Sequence, residues 1–147
     1  MAGHLSALLA SGGGNEELCK GVFKNLEDSK VQACVAMAPI TDLRAVPLVK
    51  KLGFKGDNNE AWRLSAQKYV SKDSPPMLLL HATGDRTVPL SESENLFAAY
   101  QKAGAPVEKK FYDYKGHAFW NLGLNDTCKM ASWNDTIAFF DKTLKSK

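Results

Sequence analysis

Two short loops concentrate the side chains in this sequence that could move a proton. The first reads His81-Ala82-Thr83-Gly84-Asp85-Arg86-Thr87-Val88-Pro89, and the second reads Lys115-Gly116-His117-Ala118-Phe119-Trp120. A carboxylate held against an imidazole fixes the ring's tautomer and stabilises the imidazolium that forms when the ring takes a proton. Histidine suits that work because its unperturbed pKa lies near neutrality. Each piece alone is ordinary. An aspartate after glycine is usually turn chemistry, and a Gly-His pair is usually a loop. Their interest lies in order and placement, because each loop follows a run that reads as a strand. An acid at one strand end can meet a histidine at the next, which makes Asp85 and His117 the candidate pair.

The remaining candidates have structural readings. His81 is expected to hydrogen-bond the loop from its strand end, and His4 to sit at a helix start. A metal site built from His4, His81 and His117 lacks the short ligand spacing that a helix or hairpin imposes, so no metal is expected. Ser6 and Ser11 fall within a helix, where a hydroxyl bonds backbone or solvent. An activated serine needs a strained strand-to-helix turn. Gly12-Gly13-Gly14 is not followed by Gly-Lys-Ser or Gly-Lys-Thr, so it is a helix stop and not a phosphate loop. Phe119 and Trp120 could line a pocket or fill the core.

The elements that must position these residues follow from the pattern. Residues 3–10 form a short helix, and residues 31–37 (VQACVAM) form a nearly continuous apolar run, as a strand buried on both faces does. Residues 43–68 are helical but broken by Gly53, Gly56 and Asn58-Asn59, which marks 43–72 as a lid or connecting segment. Pro75-Pro76 introduces the second strand at Met77-Leu78-Leu79-Leu80. A helix follows from Ser91 to Ala103, with capping-box spacing between Ser91 and Glu94 and a stop at Gly104. Residues 107–114 form the third strand. The last helix runs from Met130 to Leu144, and Trp133, Ile137, Phe140 and Leu144 form one stripe expected to cover the sheet. Strands separated by helices imply crossovers and a parallel sheet, whose working loops lie at the carboxyl ends of the strands.

Composition narrows the classes. The chain has 147 residues, 44% hydrophobic and 24% charged, which suits one globular core. Its net charge of +3 comes from dispersed lysines, not from the basic stripe that nucleic acid would require. Cys19, Cys34 and Cys128 form no C-x-x-C pair, so neither a zinc site nor a disulfide framework is suggested. No apolar stretch reaches membrane-spanning length, and residues 1–10 lack the positive start of a signal peptide. The sequons at Asn125 and Asn134 matter only in a eukaryotic secretory pathway. Localisation stays open.

Taken together, the motifs resemble the α/β-hydrolase family, whose triad runs Ser, Asp, His along the chain. Residues Gly3-His4-Leu5-Ser6-Ala7-Leu8-Leu9-Ala10 are similar to the helix after the nucleophile elbow in the acetyl-esterase and feruloyl-esterase-like carboxylesterase branch. Ala2 and Gly3 stand where that branch has two glycines. Residues 25–33, Ser65-Ala66, Lys68-Tyr69-Val70 and Ser74-Pro75-Pro76 resemble its approaches to the next two strands. The resemblance runs from residue 1 to about residue 120.

It implies a partial α/β-hydrolase fold, about three parallel strands with flanking helices, with residues 1–147 as the C-terminal portion of a single domain. It makes Asp85 the triad acid and His117 the general base and acid. The nucleophile serine would immediately precede Met1, whose backbone N–H would donate to the oxyanion hole. The implied reaction is hydrolysis of a small-molecule or carbohydrate-linked carboxylic ester, with no cofactor, no metal, no nucleic acid and no membrane. A prolyl-oligopeptidase-like serine peptidase and a non-catalytic remnant of the fold are the alternatives. The strand that leads into the serine in the family would pair beside residues 31–37. Without it the sheet has an exposed edge, which favours self-association.

Overall fold

The apolar runs pair with one another as a parallel sheet. In the computed structural model, which describes residues 2–19, 21, 24–45, 58–121, 123 and 126–145, β1 (Cys34–Met37), β2 (Met77–Ala82) and β3 (Val107–Tyr112) lie in the order β1-β2-β3. The register sets Cys34 beside Met77 and Met37 beside Leu80. It also sets Met77 beside Val107 and Ala82 beside Tyr112. Both the first and third strands are shorter than their apolar runs, since pairing stops at Tyr112 and begins at Cys34. Met1 and residues 46–57 lie outside the described residues. The oxyanion position at Met1 and the middle of the 43–72 segment therefore receive no structural account.

β2 is buried along its whole length because helices cover both faces of the sheet. On one face, α1 (Ala2–Gly12) and the long helix after β2 bring Ala7, Ala10, Leu96 and Tyr100 against Cys34, Ala36, Met77 and Leu79. On the other, the C-terminal helix brings Phe139 against Leu78, Leu80, Ala82 and Phe119. The two-residue period of a strand divides β2 between these layers. His81 belongs to the row of Met77 and Leu79 and points toward the helix after β2. α2 (Glu16–Cys19) and α3 (Asn58–Arg63) are short. In the described part of 43–72, a 3-10 turn at Ala66–Tyr69 buries Ala66 and Tyr69 in the body of the protein.

The helix after β2 is α4 (Leu90–Ala103). It ends as its sequence requires, with Gly104 at φ 74° and its N–H on the Gln101 and Tyr100 carbonyls. Its start differs from the capping box at Ser91 and Glu94. Pro89 is the cap and contributes no side-chain bond, while both Ser91 and Glu94 are exposed. The two residues between them, Glu92 and Ser93, turn inward instead.

The C-terminal helix α5 (Thr127–Leu144) starts three residues earlier than the apolar pattern indicates. Asp126 caps it by accepting from the Lys129 N–H at 3.0 Å. Its orientation corrects three of the four members of the expected stripe: Trp133, Ile137 and Leu144 are 60%, 46% and 48% exposed, while Phe140 packs against the core beside the buried Phe139 and Ser132 is buried too. The cause lies in β3, which offers α5 the polar groups Glu108, Lys110 and Tyr112. The tyrosine hydroxyl donates to Asp135 at 2.7 Å, Lys142 reaches Glu108 at 2.7 Å, and Lys110 lies 3.7 Å from Asp135. Asp135, Phe139 and Lys142 fall at i, i+4 and i+7, and this mixed row sets the rotation of the helix. No described helix is long and apolar enough to cross a membrane. Among the described residues, no strand pairs with the second edge of β1.

Candidate functional site

The acid loop is tied to the base loop by backbone hydrogen bonds that continue the sheet past its last residue pair. The Thr83 N–H donates to the Tyr112 carbonyl at 2.9 Å, and the Gly84 N–H donates to the Tyr114 carbonyl at 3.1 Å. Glycine is required at position 84 because a Cβ there would stand 2.9 Å from the Tyr114 oxygen and 3.1 Å from Lys115 Cα, both backbone atoms. The turn then closes with the Asp85 N–H on the Ala82 carbonyl at 3.2 Å.

These ties bring the two candidate residues into contact. Asp85 Oδ2 lies 2.7 Å from His117 Nδ1, and the aspartate side chain is fully buried. Its other oxygen, Oδ1, accepts from the Thr87 N–H at 2.8 Å and the Val88 N–H at 3.0 Å. A carboxylate so placed can only accept, so His117 must donate through Nδ1–H. Its Nε2 is left as the lone-pair nitrogen, the form a general base needs. The His117 side chain is 28% exposed and meets the Trp120 ring edge-on at 5.3 Å between centroids.

His81 sits behind this pair. Its ring is buried, with Nδ1 2.7 Å from Ser93 Oγ and Nε2 3.0 Å from the Val88 carbonyl. Nε2 is also 3.5 Å from Asp85 Oδ2. Burial pushes the His81 pKa below the ordinary histidine value, against the opposing pulls of the Val88 carbonyl and the Asp85 charge. His4 is elsewhere: its Nδ1 bonds the Ile40 carbonyl at 2.9 Å and ties the start of α1 to the turn after β1. The three histidines therefore do not converge. Among the described residues, no group of three His, Cys, Asp or Glu side chains could hold a metal ion.

The serines of α1 spend their hydroxyls on their own helix. Ser6 donates to the Gly3 carbonyl at 3.0 Å, and Ser11 donates to the Ala7 carbonyl at 2.9 Å. The start of α1 is pressed onto the end of β1, where a Cβ on Gly3 would overlap the Met37 carbonyl. As a result, Ala2 and Gly3 share one cleft of about 380 Å³ with Met37, His117 and Trp120. A second cleft of about 470 Å³ lies on the other side of His117, between the acid and base loops. Phe119 is fully buried and belongs to the core, whereas Trp120 lines the first cleft.

Two positioning contacts escape the sequence reading. Glu92 is buried, and its Oε2 accepts from the Thr41 N–H at 2.7 Å, the Asp42 N–H at 2.9 Å and the Thr41 hydroxyl at 3.1 Å. Ser93 holds His81. A signal for Glu92 was present, since it stands four and eight residues before Leu96 and Tyr100 on the buried face of α4.

Residues 20–147 match the family model described as the prolyl oligopeptidase family. The chain is 26% identical to an acetyl ester-xyloside bifunctional hydrolase from Caldicellulosiruptor lactoaceticus, at a TM-score of 0.67, over 93% of this chain and 54% of that one. It is 26% identical to a truncated carbohydrate esterase from gut microbiota, at a TM-score of 0.69, over 96% of this chain and 56% of that one. A thermophilic esterase from the Planctomycetes species Thermogutta terrifontis shares the fold at 24% identity and a TM-score of 0.73, over 95% of this chain and 51% of that one. The chain thus spans about half the length of the solved structures it matches. No curated protein matches it.

Proposed function

The chain belongs to the prolyl oligopeptidase family and has an α/β-hydrolase fold, and from that premise we propose that it supplies the acid and the base of a serine-type carboxylic ester hydrolase. Residues 1–147 are read as the C-terminal portion of one hydrolase domain. The reading rests on the 2.7 Å contact between Asp85 Oδ2 and His117 Nδ1, made by a buried carboxylate and a partly exposed imidazole. The nucleophile serine stands on the N-terminal side of Met1, at the entry to α1. Support for that place comes from the cleft that Ala2 and Gly3 share with His117.

In the reaction, the serine oxygen attacks the acyl carbonyl while its proton passes to His117 Nε2. The Asp85 carboxylate stabilises the imidazolium through Nδ1–H. The tetrahedral oxyanion takes a hydrogen bond from the backbone N–H of Met1, the residue after the serine. Collapse expels the alcohol, which leaves with the proton from His117. Water then repeats the sequence on the acyl-enzyme and releases the acid. Carbohydrate-linked esters are the favoured substrates, on the strength of the similarity to the acetyl ester-xyloside hydrolase and the carbohydrate esterase. Peptide hydrolysis is the second reading, favoured by the description of the matching family.

The test uses p-nitrophenyl acetate, a proline-containing peptide p-nitroanilide and a fluorophosphonate probe. Each is offered to the chain alone and to the reading frame extended upstream of Met1. The chain alone is expected to show no labelled serine. The extended protein is expected to label at one serine and hydrolyse the ester, and His117→Gln to lower kcat by about 10⁶-fold. An in-frame stop directly before Met1 with no Gly-x-Ser codons, or full activity in His117→Gln, would overturn the proposal.

A further inference from the structure

Asp85 carries two imidazoles, and only one of them reaches solvent. His117 takes Oδ2 at 2.7 Å, and His81 Nε2 faces the same oxygen from within the core at 3.5 Å. We propose that His81 is a positioning residue, a buried imidazole whose Nε2–H, held on the Val88 carbonyl, locks the acid loop so that Asp85 Oδ2 stays aimed at His117. The proposal rests on the assignment of Asp85 and His117 as acid and base.

The donor pattern around His81 leaves one neutral tautomer. The Val88 oxygen is a carbonyl and can only accept, so Nε2 must carry a hydrogen. Ser93 can then donate its hydroxyl hydrogen to Nδ1. Both ring nitrogens are satisfied without a charge, inside a site where burial disfavours one. The charged or titratable groups facing the ring are Asp85 from the acid turn, His117 from the base loop and Glu92 from α4. A charged His81 would be a cation beside Oδ2 and would compete with His117 for it. A neutral one donates without competing.

Val88 shows how the lock acts. Its N–H is held by Asp85 Oδ1 at 3.0 Å, and its carbonyl is held by His81 at 3.0 Å. With both ends of that residue fixed, the turn that holds the carboxylate is anchored to β2 through His81. Ser93 carries the same restraint into α4.

The experiment records ring nitrogen signals of the ¹⁵N-labelled full chain by NMR from about pH 5 to pH 8, the range in which an unperturbed histidine changes charge. In the wild type, His81 is expected to hold the neutral Nε2–H pattern throughout, and His117 to show a protected Nδ1–H donated to Asp85. Three variants then separate positioning from bulk. His81→Gln keeps a donor near the Nε2 position and retains the His117 signature. His81→Asn reaches only toward Ser93, and His81→Leu keeps bulk without a donor, so both lose it. Amide shifts along α5 and β3 report whether each variant is folded.

Titration of His81 within that range, or retention of the His117 signature in folded His81→Leu, overturns the inference. If His81→Asn and His81→Leu do not fold, the wild-type titration still decides. Absence of the His117 Nδ1–H signature in the wild type instead overturns the acid–base assignment beneath it.

Discussion

Asp85→Asn removes one charge and no atoms of consequence to packing, and the surroundings dictate how the amide must sit. Oδ1 accepts from two backbone N–H groups, at Thr87 and Val88, so the amide oxygen has to stay there. The NH₂ group then occupies the Oδ2 position, 2.7 Å from His117 Nδ1. Two donors cannot face each other at that distance. His117 must give up its Nδ1 hydrogen and carry it on Nε2, the nitrogen that should receive the serine proton.

The stability cost follows from three bonds that lose their charge. A hydrogen bond to a charged group is worth about 1.5–3 kcal/mol and a neutral one about 0.5–1.5. Three such changes amount to about 1–3 kcal/mol once the two retained backbone bonds are allowed to relax. For a domain near this length, that lowers Tm by about 3–9 °C. NMR of the histidine ring nitrogens reads the tautomer, and thermal unfolding by circular dichroism reads the loss. In a protein that also holds the serine, the same fault costs about 10⁴-fold in kcat. If His117 keeps its Nδ1–H form in Asp85→Asn, or Tm does not fall, the donor–acceptor reasoning is wrong.

Other perturbations probe the scaffold. Glu92→Ala strands the N–H groups of Thr41 and Asp42 that its carboxylate now receives, and urea unfolding is expected to show a loss of about 2–5 kcal/mol. Burial raises the Cys34 thiol from 9.0 to about 11, partly opposed by a side-chain hydrogen bond to Ser6. The folded state thus holds the proton that the unfolded chain releases. Its contribution is whole below about pH 9 and falls as pH rises toward about 11, by about 2–3 kcal/mol in full. The difference in stability between wild type and Cys34→Ala should narrow over that interval, and a constant difference refutes it. The outward stripe of α5 and the open edge of β1 are expected to make the chain self-associate. Trp133→Glu with Ile137→Lys should reduce the sedimentation coefficient while changing stability by no more than about 0.5 kcal/mol. A wild type that already sediments as a monomer contradicts this.

The contact between Asp85 and His117 was legible because it depends on strand order and strand ends, which apolar runs announce. Met77-Leu78-Leu79-Leu80 could hardly be anything but a buried strand. The rotation of α5 was not legible, because periodicity ranks helix faces by hydrophobicity alone. The face that meets β3 was chosen by Tyr112, Lys110 and Glu108, which required Asp135 and Lys142 opposite them. The start of α4 misled for a similar reason. Ser91 and Glu94 have the spacing of a local cap, yet Glu92 between them was taken by a tertiary partner, the Thr41–Asp42 turn, 51 and 50 residues away. Local rules fail where a long-range polar contact competes for the same backbone.

That long-range contact bridges two mechanical parts of the site. Asp85 and His117 are fixed by β2, β3 and α4, through the Thr83 and Gly84 bonds to the β3 exit and through His81 with Ser93. The start of α1 is fixed by β1, through Gly3 packed on Met37 and His4 on Ile40. Glu92 joins the parts, reaching from α4 to the turn after β1. The pairing of Asp85 with His117 is therefore complete within three neighbouring elements and does not wait for a nucleophile. What the β1 side controls is where an attacking group at the head of α1 would stand relative to His117. Preorganisation of the Asp85–His117 pair and placement of the head of α1 are thus separable properties of this fold, each resting on its own set of contacts.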